Sequence, residues 1–265
     1  GIRDQPRSRG LGDVYKRQAG ARVLAYLNVG YAEEWRGYWR EEWYGEPPPW
    51  LLLVENPEWE DEYLVRYWHG SAWGPGGWVG ILSRELRRIV DMGFDGVLLD
   101  NLDVCELWSG PESPEGPVAN ASGMMVRLVA HLSSLGRSLR PGFTVAVNVG
   151  GAVDLLLDPG LLDAIDIVVR EEVWYSGGEP LPPEETEYVL ERLRYALGKG
   201  KEVVVVEYLD DPALISRVVR LADGEGFMVY PSVSYELDAL SWAVPAYLGV
   251  SAAPLEEGVA VTWSY

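Results

Sequence analysis

Several acidic and amide side chains in this sequence follow directly on apolar runs. The stretch GFDGVLLDNLDV (93–104) sets Val97, Leu98 and Leu99 against Asp100, Asn101 and Asp103. FTVAVNVG (143–150) runs into Asn148, AIDIVVREE (164–172) ends in Glu171 and Glu172, and EVVVVEYL (202–209) carries Glu207. Carboxylates at such places suit a reaction run by a carboxyl pair, in which one group attacks or stabilises and the other passes a proton to a leaving oxygen. Glycoside hydrolysis is the main case. Other chemistries are thinly supplied. His69 and His131 are the only histidines and Cys105 the only cysteine, so no zinc cluster, no intrachain disulfide and no His-based triad is expected, and no metal or cofactor is implied. Neither a GxGxxG after a strand nor a GxxxxGK[ST] loop occurs, which removes the usual sequence support for a nucleotide-binding sheet.

The elements that must position these groups alternate regularly. Candidate strands are 22–30, 96–101, 143–150, 164–172, 202–209 and 226–232, and continuous apolar runs of this kind fit parallel strands buried on both faces. Helical periodicity marks Leu82, Leu86 and Ile89, then Met125, Leu128, Leu132 and Leu135, with further helices expected near 185–198, 212–223 and 236–248. The pattern predicts an α/β chain, a (β/α)8 TIM barrel rather than an open doubly wound sheet. Chemistry in such a barrel sits at the C-terminal strand ends, where Asp100, Asp103, Asn148, Glu171, Glu172 and Glu207 fall. For Asp103 a helix-capping role weighs as much as a functional one. Glu172 is expected to point away from Glu171, because strand neighbours alternate faces.

Segments 31–78 and 107–120 read as long loops, with LLLVE (51–55) and YLVRYW (63–68) taken as loop segments rather than barrel strands. Eight of the twelve tryptophans lie between Trp35 and Trp78. Their faces could receive the C–H side of sugars, although about half are expected simply to pack the barrel rim.

At 265 residues one large domain suffices, assigned to 19–265. Residues 1–18 hold five basic and two acidic side chains without an apolar period and read as a non-native, adapter-like tail. A formal charge of −19 argues against a nucleic-acid partner, which needs clustered Lys and Arg, and favours a cationic one. No apolar run is long enough for a membrane-spanning helix.

Taken in order, VLAYLNVGYAEEWRGYW (23–39), GFDGVLLDNLDV (93–104), VAVNVGG (145–151), IVVREEVWY (167–175) and VVVEYL (204–209) resemble glycoside hydrolase family 114. These are endo-α-1,4-polygalactosaminidase-like TIM barrels, with relatives once labelled cysteinyl-tRNA synthetase-like. The D-G-x-x-x-D-N-x-D element is the most specific part. The resemblance implies an α-1,4-linked galactosamine polymer as substrate, which also implies export, and a pair of acidic catalytic residues. By motif, Asp100 would be the nucleophile and Glu171 the acid/base, in a retaining mechanism. Tyr26, Asn101, Asp103, Asn148, Trp174, Glu207 and Tyr208 would line the substrate cleft. The older synthetase label finds no HIGH-type or KMSKS-type element here. Two departures stand out. Tyr31 occupies a place where relatives carry Glu in G-E-A-E, so an acidic contact is expected to be lost. Relatives also carry about two more βα units before VLAYL, so the barrel is expected to lack its first units. The alternative of another class is a carbohydrate-binding barrel with a Trp-lined mouth and no turnover.

Overall fold

The computed structural model describes residues 22–74, 76–235 and 237, together with the backbone of 251–255 and 258–262. The adapter-like segment 1–18 and most of the helix expected near 236–248 lie outside the described residues. Six parallel strands form the central sheet: β1 (Leu24–Asn28), β5 (Gly96–Asp100), β6 (Thr144–Asn148), β7 (Ile167–Glu171), β10 (Glu202–Tyr208) and β11 (Met228–Ser232), adjacent in that order. Among the described residues these six strands are the barrel strands, and all six coincide with strands expected from the sequence.

Both faces of this sheet are buried, and each has its own core. The inner face carries Ala146, Ile167, Val169, Val204, Val206 and Tyr230, with Leu24, Leu98, Tyr208 and Met228 packed against them. The outer face carries the alternate residues, among them Val97, Leu99, Val145, Val147, Val168, Val203 and Val205, joined to the helices in a much larger core. That division explains why the strands read as unbroken apolar runs.

The helices are α1 (Trp78–Asp91), α2 (Val104–Ser109), α3 (Ala121–Leu139), α4 (Pro159–Ala164), α5 (Pro183–Gly198) and α6 (Pro212–Glu225). In α1 the buried stripe is Trp78, Ile81, Leu82, Leu86 and Ile89, which matches the 3.6-residue period. The start of α6 is set by Asp211, whose side chain accepts from the Ala213 N–H at 2.7 Å, and its end by Gly226 at φ 76°, a left-handed turn that glycine adopts without strain.

Segment 31–78 departs from expectation. It is an organised insertion, in which β2 (Tyr31–Glu33), β4 (Glu62–Val65) and β3 (Leu51–Glu55) form an antiparallel sheet in the order β2-β4-β3. LLLVE and the start of YLVRYW are therefore strands, although not of the barrel. Likewise 107–120 opens inside α2. The tryptophans mostly build this insertion. Trp43, Trp50 and Trp78 are buried and Trp39, Trp68 and Trp73 pack against the core, whereas Trp35 and Trp59 are 51% and 43% exposed. Trp50 and Trp78 stack at 5.6 Å, and the Trp78 indole N–H donates to the Val29 carbonyl at 2.9 Å. More of these rings are structural than the half expected.

Candidate active site

The inner-face parity of the strands decides which side chains meet at the C-terminal mouth. Asn28 ends β1 and is in register with Asp100, which ends β5. Asn148 ends β6, Glu171 ends β7 and Tyr208 ends β10. Tyr26 lies two residues before Asn28 and shares its face.

Asp100 accepts the Asn101 N–H at 2.8 Å, and the Tyr26 hydroxyl and the Asn148 amide beside it favour its ionised form. Asn101 itself adopts φ 60°, a left-handed conformation that Asn tolerates better than most residues, and this turns its N–H back onto the carboxylate. Burial raises the Asp100 pKa, the Asp103 charge adds to the rise, and the three donors oppose it. Gly30 lets the chain pass closely here, because a Cβ at that position would lie 2.4 Å from the Asn101 carbonyl oxygen.

Glu171 stands across the mouth. Its Oε1 accepts from the Asn148 Nδ2 at 3.1 Å, and the Tyr208 hydroxyl beside it favours its ionised form. Burial first, and the Asp100 charge second, push its pKa up to about 7; Tyr208 and the neighbouring Arg170 guanidinium pull the other way. Asn148 Oδ1 accepts the Gly150 N–H at 3.2 Å, which fixes the amide's orientation toward Glu171.

The remaining expected residues divide. Asp103 precedes α2 but makes no side-chain capping bond; its Oδ2 accepts the Gly151 N–H at 3.2 Å and ties the loops after β5 and β6 together. Glu172, at φ 53°, accepts from Ser176 Oγ, Gly177 N and Tyr235 Oη, so it is directed away from Glu171 into the following turn. Glu207 does not open to the mouth as expected. It has the outer parity of Val203 and Val205, is 0% exposed, and accepts the N–H groups of Val173 and Trp174 at 2.8 Å and of Tyr175 at 3.3 Å. Trp174 likewise packs in the outer core at 7% exposure rather than presenting a ring to the cleft.

Several residues at the mouth were missed from the sequence. The inserted sheet pairs Glu33 directly with Glu62, and both are buried. Glu33 takes a bidentate ion pair from Arg36 at 2.8 and 3.2 Å. Glu62 accepts from Asn28 Nδ2 at 3.2 Å and Asn56 Nδ2 at 3.0 Å, and burial pushes its pKa up to about 7. Only Asn28, ending a strand in a polar residue like the others, carried a readable signal. Among the described residues no group of His, Cys, Asp and Glu could hold a metal ion.

Three curated proteins resemble the chain: one of Thermotoga maritima at 32% identity over 73% of this chain and 57% of its own length, one of Methanocaldococcus jannaschii at 33% over 74% and 54%, and one of Deinococcus radiodurans at 30% over 82% and 66%. The chain therefore spans little more than half the length of the first two. Among solved structures, Aspergillus fumigatus Ega3, crystallised in complex with galactosamine, superposes with a TM-score of 0.58 at 16% identity, covering 83% of this chain and 77% of that one. That likeness carries the fold, a TIM-barrel α/β architecture. Residues 13–242 match the model of glycoside-hydrolase family GH114, and the chain belongs to that family.

Proposed function

We propose that this protein is a glycosidase that cleaves internal α-1,4 linkages of a galactosamine-containing polysaccharide with Asp100 and Glu171 as its carboxyl pair. The observation that carries the reading is that Asp100 and Glu171 end strands on either side of β6 on the same inner face, the Asp100 charge raising the Glu171 pKa, with the Asn148 amide between them bonded to Glu171. Asn148, on the strand between theirs, donates to Glu171 at 3.1 Å and favours the ionised form of Asp100, so the two carboxyl groups face one another across it. We take the pair to work by the retaining route, which needs carboxyl groups about 5–5.5 Å apart, against roughly 6.5–9.5 Å for the inverting one.

The environments divide the roles. The Asn101 N–H, the Tyr26 hydroxyl and the Asn148 amide oppose the rise that burial imposes on Asp100 and favour a carboxylate able to attack C1. Glu171, pushed up to about 7, keeps a proton at neutral pH and can deliver it to the leaving oxygen, then act as base toward water in the second step. A protein of net charge −19 suits a polymer bearing free amines, and the galactosamine bound by Ega3 supports an amino sugar as the ligand class.

The test is reducing-end release from partly deacetylated α-1,4-galactosaminogalactan by the parent, Asp100→Asn and Glu171→Gln. Release by the parent alone, falling as pH rises through about 7, supports the reading. Polymer binding without release by a folded parent would leave a carbohydrate-binding barrel instead.

A further inference from the structure

The backbone leaving Glu171 is tied down group by group. Its carbonyl accepts from Arg170 Nη1, and the N–H of the same peptide, that of Glu172, donates to the Val206 carbonyl at 2.8 Å. The next three N–H groups, of Val173, Trp174 and Tyr175, go to Glu207. Glu172 takes up the change of direction at φ 53°, in the left-handed region that a non-glycine residue keeps only where its surroundings hold it there. The peptide between Glu171 and Glu172 is thus fixed at both ends, with Glu171 on the mouth side and Glu172 turned into the following loop.

Arg170 is a costly choice for the first of these contacts. It has the outer parity of Val168 and is in register with Val205, so its stem starts behind the sheet and the guanidinium returns to the Glu171 carbonyl. Its Nε is buried without a hydrogen-bond partner, and it makes no ion pair among the described residues. A neutral donor could satisfy a carbonyl, whereas a half-buried guanidinium with an unmet N–H carries a desolvation cost. What the guanidinium adds is charge. Burial pulls its own pKa down, and the carboxylates around it oppose that, Glu171 foremost, then Asp103, Glu172 and Glu207.

We infer that Arg170 is a positioning residue for Glu171: from behind the strand it clamps the peptide that follows the acid/base carboxyl and sets a positive charge beside it. The inference rests on the role given to Glu171 above. Other groups facing this carboxyl do not supply such a charge. Burial and the Asp100 charge from β5 favour its neutral form and the adjoining Glu172 adds to them, while the Tyr208 hydroxyl from β10 and the Arg170 charge oppose them. Asn148 from β6 donates to it, and Tyr235, after β11, feels its charge. In a retaining reaction the acid/base must give its proton in the first step and take one from water in the second. A carboxyl held neutral would stall the second step, and Arg170 works against that. Its outer parity keeps it off the cleft, so it acts through Glu171 and not on the sugar.

The experiment titrates the Glu171 carboxyl by 13C NMR, with Glu171→Gln assigning the resonance, in the parent, Arg170→Lys and Arg170→Met, beside a pH profile of kcat/KM for each. Met removes charge and donor but keeps an unbranched stem, and Lys restores the charge. In Arg170→Met the Glu171 pKa should rise by about one unit above its value of about 7, and the fall in kcat/KM should move up in pH by the same amount. Arg170→Lys should stay closer to the parent than to Arg170→Met in both readings. A folded Arg170→Met that titrates Glu171 as the parent does overturns the inference, even if it melts lower. Should Arg170→Met fail to fold, Arg170→Gln, which can still donate to the Glu171 carbonyl, carries the same two readings, and an unchanged Glu171 pKa there overturns it equally. A parent that hydrolyses, with an unshifted profile in the folded variant, sinks the role of Arg170 and leaves Glu171 standing. A parent that releases no reducing ends sinks the proposed hydrolysis instead, and the titration, which needs no turnover, then decides whether Arg170 governs the Glu171 proton.

Discussion

Replacing Glu207 by Ala tests how the Glu171 side of the mouth is held. The Glu207 carboxylate is fully buried and takes three consecutive backbone N–H groups, from Val173, Trp174 and Tyr175, in the segment just after Glu171 and Glu172. Burial pushes its pKa up to about 7 against the pull of these amides, so the site is built to bind N–H groups rather than to carry a free charge. Truncation leaves three buried donors without an acceptor. At about 1–3 kcal/mol for each, with the 3.3 Å bond weighted least and some water entering the vacated volume, the sum is about 3–5 kcal/mol. For a chain of this size that lowers Tm by roughly 6–20 °C. Glu207→Gln, which retains a carbonyl for Val173 and Trp174, should lose less than half as much. Differential scanning calorimetry reads the stability, and amide hydrogen exchange reads residues 173–175, which should lose protection before the strands do. A Glu207→Ala variant melting within about 2 °C of the parent, with exchange at 173–175 unchanged, would refute the reasoning.

Other perturbations have equally definite signs. Glu62, Glu171 and Glu207 each have a folded pKa raised to about 7, so the native state holds protons that the unfolded chain releases between about 4.5 and 7. Their contribution to stability is complete below about pH 4.5 and is lost as pH rises through 7, and the urea midpoint at pH 5.5 should exceed that at pH 8. Asn148→Ala removes the donor to Glu171 and the dipole beside Asp100 and should lower kcat about ten- to hundredfold with a Tm change of a few degrees, measured by steady-state kinetics beside a melting curve. Gly30→Ala drives a methyl to 2.4 Å from the Asn101 carbonyl oxygen and 2.9 Å from Val104 Cγ1. It should cost about 1–3 kcal/mol and displace the Asn101 N–H that orients Asp100, so chemical denaturation and turnover should fall together.

How far the site could be read in advance depends on parity and pairing. The six barrel strands were legible because strands buried on both faces leave continuous apolar runs, and the polar residue closing each run marks its C-terminal end. That same continuity hides which face is which. In EVVVVEY, Val204 and Val206 belong to the inner core and Val203 and Val205 to the outer one, and nothing in the residue types distinguishes them. Glu207 and Tyr208 were therefore read together as cleft residues. The register makes Val206 the partner of Glu171 and leaves Tyr208 on the inner face, so Glu207 turns out to the 173–175 backbone. Glu62 is the converse case. It follows no apolar run, and β2, β3 and β4 are short antiparallel strands whose partners no periodicity announces. It reaches the mouth only because Glu33 and Glu62 pair across the inserted sheet and because Asn28, at the end of a barrel strand, donates to it. A carboxylate's place at a strand end is thus a weaker guide than the face it shares with its neighbours. By that criterion the groups gathered around the mouth are Asp100, Glu171 and Glu62, and Glu207 belongs to the scaffold that holds the segment behind Glu171.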